Sequence, residues 1–153
     1  MSQVVVRQGE PGDARELAGL RWDVKADGAE LDRATRETFI DRQTTWFTDA
    51  MAGDWTVFVA QDGLDLCGQV FVRVVDKAPS PLPGATAIGY VTNFYVTPPR
   101  RGEGIGGRLL DAMRSWAERV PLEALVVWPS DESVPDYERA GFRGDEVLQL
   151  PIS

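Results

Sequence analysis

The sequence contains no histidine and a single cysteine, Cys67. Histidine is the side chain that most often titrates near neutral pH, so any general base must be another group. One cysteine cannot form an internal disulfide, and without a histidine to activate it Cys67 is not expected to act as a nucleophile. No apolar run reaches the ~20 residues that span a bilayer, and the first residues lack the basic segment and apolar core of a signal peptide. These absences predict a soluble, cytoplasmic protein with no membrane partner.

The charge of the chain is unevenly distributed. The 153 residues carry a net charge of −8, yet residues 100–119 hold five arginines against three acids. A local basic segment in an acidic protein fits one anionic ligand and argues against nucleic acid, which requires a broad basic face. The residues outside this segment are acidic on balance, and their charge either steers a cationic substrate to the protein or only keeps it soluble. A chain of this length, with no linker or repeat, is predicted to form a single domain, 1–153.

The most informative segment is a glycine-rich loop between a strand pattern, 88–96, and an amphipathic helix pattern, 104–120. Glycine allows a positive φ and a close approach of the backbone to a ligand. The first N–H groups of a helix have no partner within it, and the helix dipole adds partial positive charge there. Strand, loop and helix start therefore form an anion site suited to a diphosphate. The loop holds four glycines within six positions: Gly102, Gly104, Gly106 and Gly107.

Two common nucleotide-binding motifs are excluded. No Gly-Lys-Ser/Thr follows the glycines, as a P-loop requires. A dinucleotide-binding loop would follow the first strand of its unit, and the next strand would end in an acid. Here the loop comes late in the chain, and the strand pattern 125–128 runs into Pro129.

Two sequence blocks resemble the GNAT superfamily of acyl-CoA-dependent N-acetyltransferases. Residues 101–106, Arg-Gly-Glu-Gly-Ile-Gly, are similar to its Arg/Gln-x-x-Gly-x-Gly/Ala signature, with a Val-x-Pro lead-in at 96–98. Residues 137–142, Tyr-Glu-Arg-Ala-Gly-Phe, resemble the Tyr-x-x-x-Gly-Phe element of the family. With their flanking elements the two blocks cover 88–143, and the first half of the chain resembles the family only in its order of elements.

The pattern along the chain predicts an α/β fold with the order β-α-α-β-β-β-α-β-α-β, which is the order of a GNAT domain. In that resemblance, helices flank a mixed central sheet that splays between strands 88–96 and 125–128, which leaves room for a pantetheine arm. A proline-rich stretch, 78–84, is predicted to be a surface hairpin loop. The other strands are predicted at 4–7, 55–60, 67–75 and 147–150, and the helices at 14–22, 35–51, 104–120 and 135–140.

The resemblance implies acetyl-CoA as co-substrate and no metal. Backbone N–H groups of the loop would bind the diphosphate, although a turn that only packs helix against sheet has similar bends. Arg100 and Arg108 would either contact phosphate or stay solvated. Backbone groups of Phe94 and Val96 would pair with the pantetheine amides, and the Phe94 N–H would bond the thioester oxygen. The side chains of this strand can pack in the core at the same time, because these contacts use only backbone groups. The expected cofactor contacts are Phe94, Tyr95, Val96, Arg101, Gly102, Glu103, Gly104, Ile105, Gly106, Gly107, Ser130 and Ser133.

Tyr137 and the Phe94 N–H are the predicted catalytic groups. Tyr137 matches a tyrosine that in this family often protonates the leaving thiolate, for which a phenol is a plausible donor. The alternative is a packed tyrosine whose hydroxyl bonds backbone. Ser130 stands where relatives often carry asparagine, so Ser130 and Ser133 would either bond the cofactor arm or cap the helix.

No general base is evident, because the strand 88–96 carries no carboxylate. A water chain, or an acceptor amine with a low pKa, would need none. In this family the first-helix region borders the acceptor site. The acids of that region are candidate bases, although such acids are more often solvated surface groups: Asp23, Asp27, Glu30 and Asp32. Aromatic residues that would line an acceptor pocket, or pack in the core, are Trp22, Trp46 and Phe47.

The resulting prediction is an N-acetyltransferase that moves an acetyl group directly from acetyl-CoA to a primary amine, of a small molecule, in a ternary complex. The open alternatives are a protein or peptide amine as acceptor, a longer acyl group, and a non-catalytic acyl-CoA-binding module on the same fold. A homodimer is expected from the resemblance only.

Overall fold

The computed structural model of this chain describes residues 3–26, 31–144 and 146–152. Within them, strands and helices follow the predicted order as far as the last helix, and no described helix is long and apolar enough to cross a membrane. Short 3₁₀ turns lie at Pro11–Asp13 and Pro98–Arg100. The regular elements are β1 (Val4–Gln8), α1 (Ala14–Ala26), α2 (Arg33–Ala52), β2 (Trp55–Asp62), β3 (Asp65–Asp76), β4 (Ala87–Val96), α3 (Ile105–Arg119), β5 (Leu125–Val127) and α4 (Val134–Arg139).

One sheet of five strands, in the order β1-β2-β3-β4-β5, forms the centre of the described chain. Neighbouring strands are antiparallel except β4 and β5, which are parallel. β5 pairs only with residues 89–91 of β4, whereas β4 continues to Val96. The last five residues of β4 have therefore lost their neighbour on one side, which confirms the mixed, splayed sheet.

Helices cover both faces of the sheet, so β2 and β3 are buried on both sides. Because side chains alternate along a strand, the two faces contribute to two separate cores. The core under α1 and α2 receives Val57, Val59 and Phe71. The core under α3 and α4 receives Phe58, Val70 and Val72.

Helix α3 is held against the sheet by one apolar face. Ile105, Leu109 and Met113 recur every four residues and are buried, with Leu110 beside them. This is the amphipathic helix that the spacing predicts. Packing of its first residue, Ile105, fixes the N-terminus of α3 next to the end of β4.

The predicted strand at 147–150 is not formed. Residues 146–152 have no regular structure, and four large apolar side chains there are exposed: Val147, Leu148, Leu150 and Ile152. An apolar run becomes a strand only where a neighbour offers hydrogen-bonding partners. The edge strand β5 is three residues long and offers few of them. The proline-rich stretch 78–84 lies in the exposed connection between β3 and β4, as predicted.

Candidate active site

Two glycines in the left-handed region bend the loop between β4 and α3. Gly102 has φ 82° and Gly104 has φ 80°, a conformation that other residues adopt only with strain. A Cβ at either position would meet nothing within 4 Å. The loop therefore turns the chain from the sheet edge into α3 and faces open space on its outer side.

The N–H groups of residues 102–107 have no acceptor among the described residues. Gly104 is the N-cap of α3 and provides no side-chain cap, and the first bond of the helix runs from the Arg108 N–H to the Gly104 carbonyl at 3.2 Å. Every helix leaves its first four N–H groups free, and this loop adds those of Gly102 and Glu103. Six adjacent N–H donors thus lie at the positive end of the α3 dipole, an arrangement that is suited to an anion.

The Arg101 side chain is folded back onto β4 rather than outward. Its Nε donates to the Val96 carbonyl at 2.9 Å, and its guanidinium lies 5.3 Å from the centre of the Tyr95 ring. Arg101 thus braces the loop against the strand, which fits a site whose anion contacts come from backbone.

The two flanking arginines are also bonded within the protein. Arg100 is ion-paired with Asp62 and Glu103, and Arg108 Nη2 donates to the Val4 carbonyl at 2.9 Å. The charge of Arg100 is therefore already compensated. A cavity of about 420 Å³ lies beside the loop, lined by Gln3, Val4, Arg100, Glu103, Ile105 and Arg108.

Phe94 and Val96 direct their backbone groups to the open side of β4. The Thr97 N–H donates to the Cys67 carbonyl of β3 at 2.9 Å. Backbone groups alternate in direction along a strand, so those of Phe94 and Val96 point away from β3, to the side where β5 has diverged. An extended ligand could pair with this edge as a strand would.

A β-bulge directly precedes the Phe94 N–H. The pairing of β3 with β4 shifts register between Gln69 and Phe71, which leaves Asn93 and Phe94 together opposite one residue of β3. Asn93 has φ 57°, which asparagine tolerates better than most residues. Its Oδ1 accepts a hydrogen bond from Arg21 Nη1 of α1 at 3.2 Å. The bulge thus sets the direction of the Phe94 N–H.

The Phe94 ring connects the strand, the loop and α4. A Cβ on Gly106 would lie 2.9 Å from Phe94 Cζ, so the ring fills space that this glycine leaves. The ring centre is 5.4 Å from that of Tyr137, which in turn is 5.2 Å from that of Phe142. These contacts hold Tyr137 beside the open edge of β4.

Tyr137 is buried, and its hydroxyl has no hydrogen-bond partner within the described chain. The alternative of a hydroxyl bonded to backbone is therefore not observed. Burial raises the pKa of Tyr137, with smaller contributions from Asp136 and Tyr90. The phenol stays neutral at physiological pH and keeps its proton as a hydrogen-bond donor.

Ser130 and Ser133 bond each other in the turn before α4. Their Oγ atoms are 3.0 Å apart, and the Ser133 hydroxyl also lies within hydrogen-bond distance of the Ser130 carbonyl. Ser133 is the N-cap residue of α4, but its side chain makes no capping bond, so the capping alternative is wrong. A role of these serines toward a cofactor stays a prediction.

Comparison with known proteins identifies the family. The sequence profile of the acetyltransferase (GNAT) domain matches residues 53–144. The chain belongs to this family. The predicted fold class and the predicted enzyme class, an acetyltransferase, are thereby confirmed.

Individual GNAT relatives are distant in sequence. Over 137 residues the chain is 26% identical to aminoglycoside N(6')-acetyltransferase type 1 of Stenotrophomonas maltophilia, covering 90% of this chain and 80% of that protein. Over 85 residues it is 29% identical to glucosamine 6-phosphate N-acetyltransferase of Trypanosoma brucei brucei, covering 52% and 58%. An acetyltransferase structure from Clostridium acetobutylicum with acetyl-CoA matches with TM-score 0.75 at 21% identity, covering 98% of this chain and 97% of that one. At this identity the structural match shows the shared fold.

The acids that border α1 in this GNAT domain do not provide an evident base. Asp23 accepts a hydrogen bond from Arg36 Nε at 3.3 Å, and Asp32 caps α2 by accepting from a backbone N–H at 3.0 Å. Asp27 and Glu30 lie outside the described residues. The general base therefore stays unassigned.

A row of aromatic rings crosses the α1–α2 side of the GNAT sheet. Ring centres are 5.7 Å apart for Trp46 and Trp55, 6.5 Å for Trp55 and Tyr90, and 5.5 Å for Tyr90 and Trp128. Trp46 and Trp128 are about half exposed, whereas Phe47 is buried in the core. The sequence pattern identifies Trp46 as a candidate, but it does not point to Trp55 and Tyr90. Successive side chains of a strand point to opposite faces of the sheet. The positions of Trp55 on β2 and Tyr90 on β4 could therefore have been used to place both rings on this face.

Proposed function

We propose that this protein transfers an acetyl group from acetyl-CoA to a primary amine of a small molecule, in a complex that holds both substrates. The main support is the run of N–H groups at 102–107 that have no acceptor in the described chain. These residues fit a CoA diphosphate, because open space adjoins Gly102 and Gly104 and the α3 dipole favours an anion there.

The outer edge of β4 would hold the pantetheine arm. Its amides would pair with backbone groups of Phe94 and Val96 as an added strand does. Arg101 donates to the Val96 carbonyl, but a carbonyl oxygen has a second lone pair, so the N–H and C=O groups of both Phe94 and Val96 remain for this pairing.

The Phe94 N–H would polarise the acyl carbonyl. Bound acetyl-CoA supplies the activated acyl group. The bulge at Asn93 and the packing of the Phe94 ring against Tyr137 fix the direction of this N–H before the substrate arrives. A donor fixed in advance stabilises negative charge as it develops on the thioester oxygen.

Tyr137 would stabilise the sulfur leaving group. Its raised pKa makes complete transfer of the phenol proton to a thiolate unfavourable, since thiols titrate near 8.5. A hydrogen bond from the phenol to sulfur is therefore the better-supported role. Burial also raises the pKa of the Cys67 thiol, which keeps it protonated and supports direct transfer over an acyl-cysteine.

The acceptor is inferred to be a small primary amine. The two relatives are named for an aminoglycoside and for glucosamine 6-phosphate, both of which present an amine on a sugar. The aromatic row that ends at Trp128 offers flat surfaces for such a ring.

The test is to mix the protein with acetyl-CoA and a panel of amino sugars, aminoglycosides, polyamines, amino acids and peptides, and to follow free thiol. We expect amine-dependent thiol release with at least one small amine. Saturable CoA binding by calorimetry without thiol release from any amine would support the non-catalytic module instead. Absence of CoA binding would overturn both.

A further inference from the structure

Arg21 is a half-buried cation without a carboxylate partner in the described chain. It lies on α1, and its Nη1 donates to Asn93 Oδ1 at 3.2 Å. A guanidinium carries five N–H donors in one plane, so most of its donors remain available. Arg15 on the same helix, in contrast, is ion-paired with both Glu37 and Asp41.

No acidic side chain of the described residues is paired with Arg21 to compensate its charge. Desolvation lowers the pKa of Arg21, although a guanidinium stays protonated at any physiological pH. Removing water from a charge costs free energy unless an opposite charge or hydrogen bonds replace it. The nearby Asp23 is bonded to Arg36 instead. An anionic ligand group would supply the missing counter-charge.

Arg21 also lies at the proposed reaction centre. Its partner Asn93 directly precedes Phe94, whose N–H is aimed at the thioester oxygen in the proposed function. Tyr90 is an electrostatic neighbour of both Arg21 and Tyr137, and the half-exposed Trp128 packs edge-on against the Tyr90 ring. In the proposed function, the guanidinium and these rings would border the path by which an acceptor amine reaches the acyl carbon.

We propose that Arg21 binds an anionic group of the acceptor, a carboxylate or a phosphate, so that the enzyme selects acidic amines. This inference rests on the proposed acetyl transfer. The planar guanidinium matches both oxyanions with paired hydrogen bonds. The net charge of −8 opposes anions at long range, so the preference arises from contact at the site rather than from steering.

The experiment compares amines that differ only in the anionic group. The phosphate pair is O-phosphoethanolamine and ethanolamine; the carboxylate pairs are β-alanine with β-alaninamide and phenylalanine with phenylalaninamide. For each pair, the ratio of kcat/KM values is measured in wild type and in Arg21→Gln. Because this ratio is compared between variants, differences in amine pKa within a pair cancel. Arg15→Gln removes an ion-paired arginine from the same helix and is the matched control.

A second variant separates ligand binding from a role in holding the bulge. Asn93→Asp places a carboxylate against the Arg21 guanidinium and is tolerated at a positive φ. If Arg21 binds the acceptor anion, this internal carboxylate competes and the preference is lost although Arg21 is intact. If Arg21 only positions the bulge, Asn93→Asp strengthens that contact and leaves the preference unchanged.

We expect the preference for the anionic member to fall by about 10- to 100-fold in Arg21→Gln and in Asn93→Asp, with unchanged affinity for CoA and no change in Arg15→Gln. Comparison of the phosphate pair with the carboxylate pairs shows which of the two oxyanions Arg21 binds. If kcat/KM fell equally for the anionic and the neutral amine of a pair, or if wild type showed no preference for the anionic amine, the inference would be overturned, although the proposed acetyl transfer would stand. If no amine is acetylated, the proposed function fails. Calorimetric titration of the CoA-saturated protein with the same pairs then decides whether Arg21 binds the anion.

Discussion

On the α3–α4 side of the splayed strand, the proposed cofactor site is made of main chain. It is bent by Gly102 and Gly104 and is rich in N–H groups that have no acceptor in the described part of the chain. On the α1–α2 side, the proposed acceptor site is made of side chains, with Arg21 and Asn93 brought together from separate elements. The proposed ligand of the backbone site, a diphosphate, would be held by the conformation of the loop and not by particular side chains. A side-chain site can change its ligand by single substitutions without altering the fold.

The largest effect is expected from Gly104→Asp, which breaks the main-chain site. A carboxylate at the α3 N-terminus would repel the diphosphate, and we expect CoA affinity to fall by about 100-fold or more. Gly104→Ala adds only the strain of a positive φ, about 1 kcal/mol of stability, and should keep most of the affinity. Calorimetric titration with CoA and thermal unfolding separate the two effects. An equal loss of CoA affinity in both variants would show that backbone strain, and not the added charge, causes the loss.

Tyr137→Phe tests the point where the two sites meet. Removing the hydroxyl should lower kcat by about 10- to 100-fold and leave CoA affinity unchanged, because the ring contacts with Phe94 and Phe142 remain. Initial rates at saturating acetyl-CoA, together with CoA titration, measure both quantities. Full activity would make Tyr137 a packing residue.

Gly89→Ala probes the seam where β5 leaves β4. The added methyl would lie 2.6 Å from Leu125 Cδ2 and 3.0 Å from Val72 Cγ1, and we expect a loss of about 1–3 kcal/mol in the free energy of unfolding. The control is Gly12→Ala, whose Cβ meets nothing within 4 Å. Chemical denaturation of both variants is the measurement. Equal stability of Gly89→Ala and wild type would show that the seam is loosely packed.

The smallest effect concerns the side-chain contacts that hold the α1 side. Arg7 and Asp13 are paired at 2.8 Å, and this hydrogen bond lowers the pKa of Asp13. Because the folded pKa is below the unfolded one, the stabilisation is present above the usual aspartate pKa and is lost as pH falls through the folded value. Asp13→Asn should therefore cost about 1 kcal/mol at pH 7. The difference from wild type should shrink below pH ~4.

Urea denaturation of Asp13→Asn across pH provides this measurement. Asp49→Asn is the control, because Asp49 is an exposed carboxylate on α2. If the loss in the free energy of unfolding caused by Asp13→Asn stayed constant down to acid pH, the charge of Asp13 would not be the source of the stabilisation.

The same contrast explains what could be predicted from the sequence. The glycine loop was predictable because only glycine adopts those bends readily, so the residue type records the backbone shape. Arg21 was not, because its partner Asn93 is 72 positions away and nothing local marks the contact. The strand expected at 147–150 failed for a related reason: its alternation is local, whereas its pairing partner would have to come from elsewhere in the fold. The capping role of Ser133 failed because its hydroxyl bonds Ser130 instead.

The most direct measurement is amide NMR of the ¹⁵N-labelled protein titrated with CoA and, separately, with pantetheine, which lacks the diphosphate. A backbone diphosphate site predicts that the N–H resonances of residues 102–107 shift strongly with CoA and little with pantetheine. Shifts at Phe94 and Val96 are expected with both ligands. Unchanged resonances at 102–107 on CoA saturation would contradict the diphosphate site.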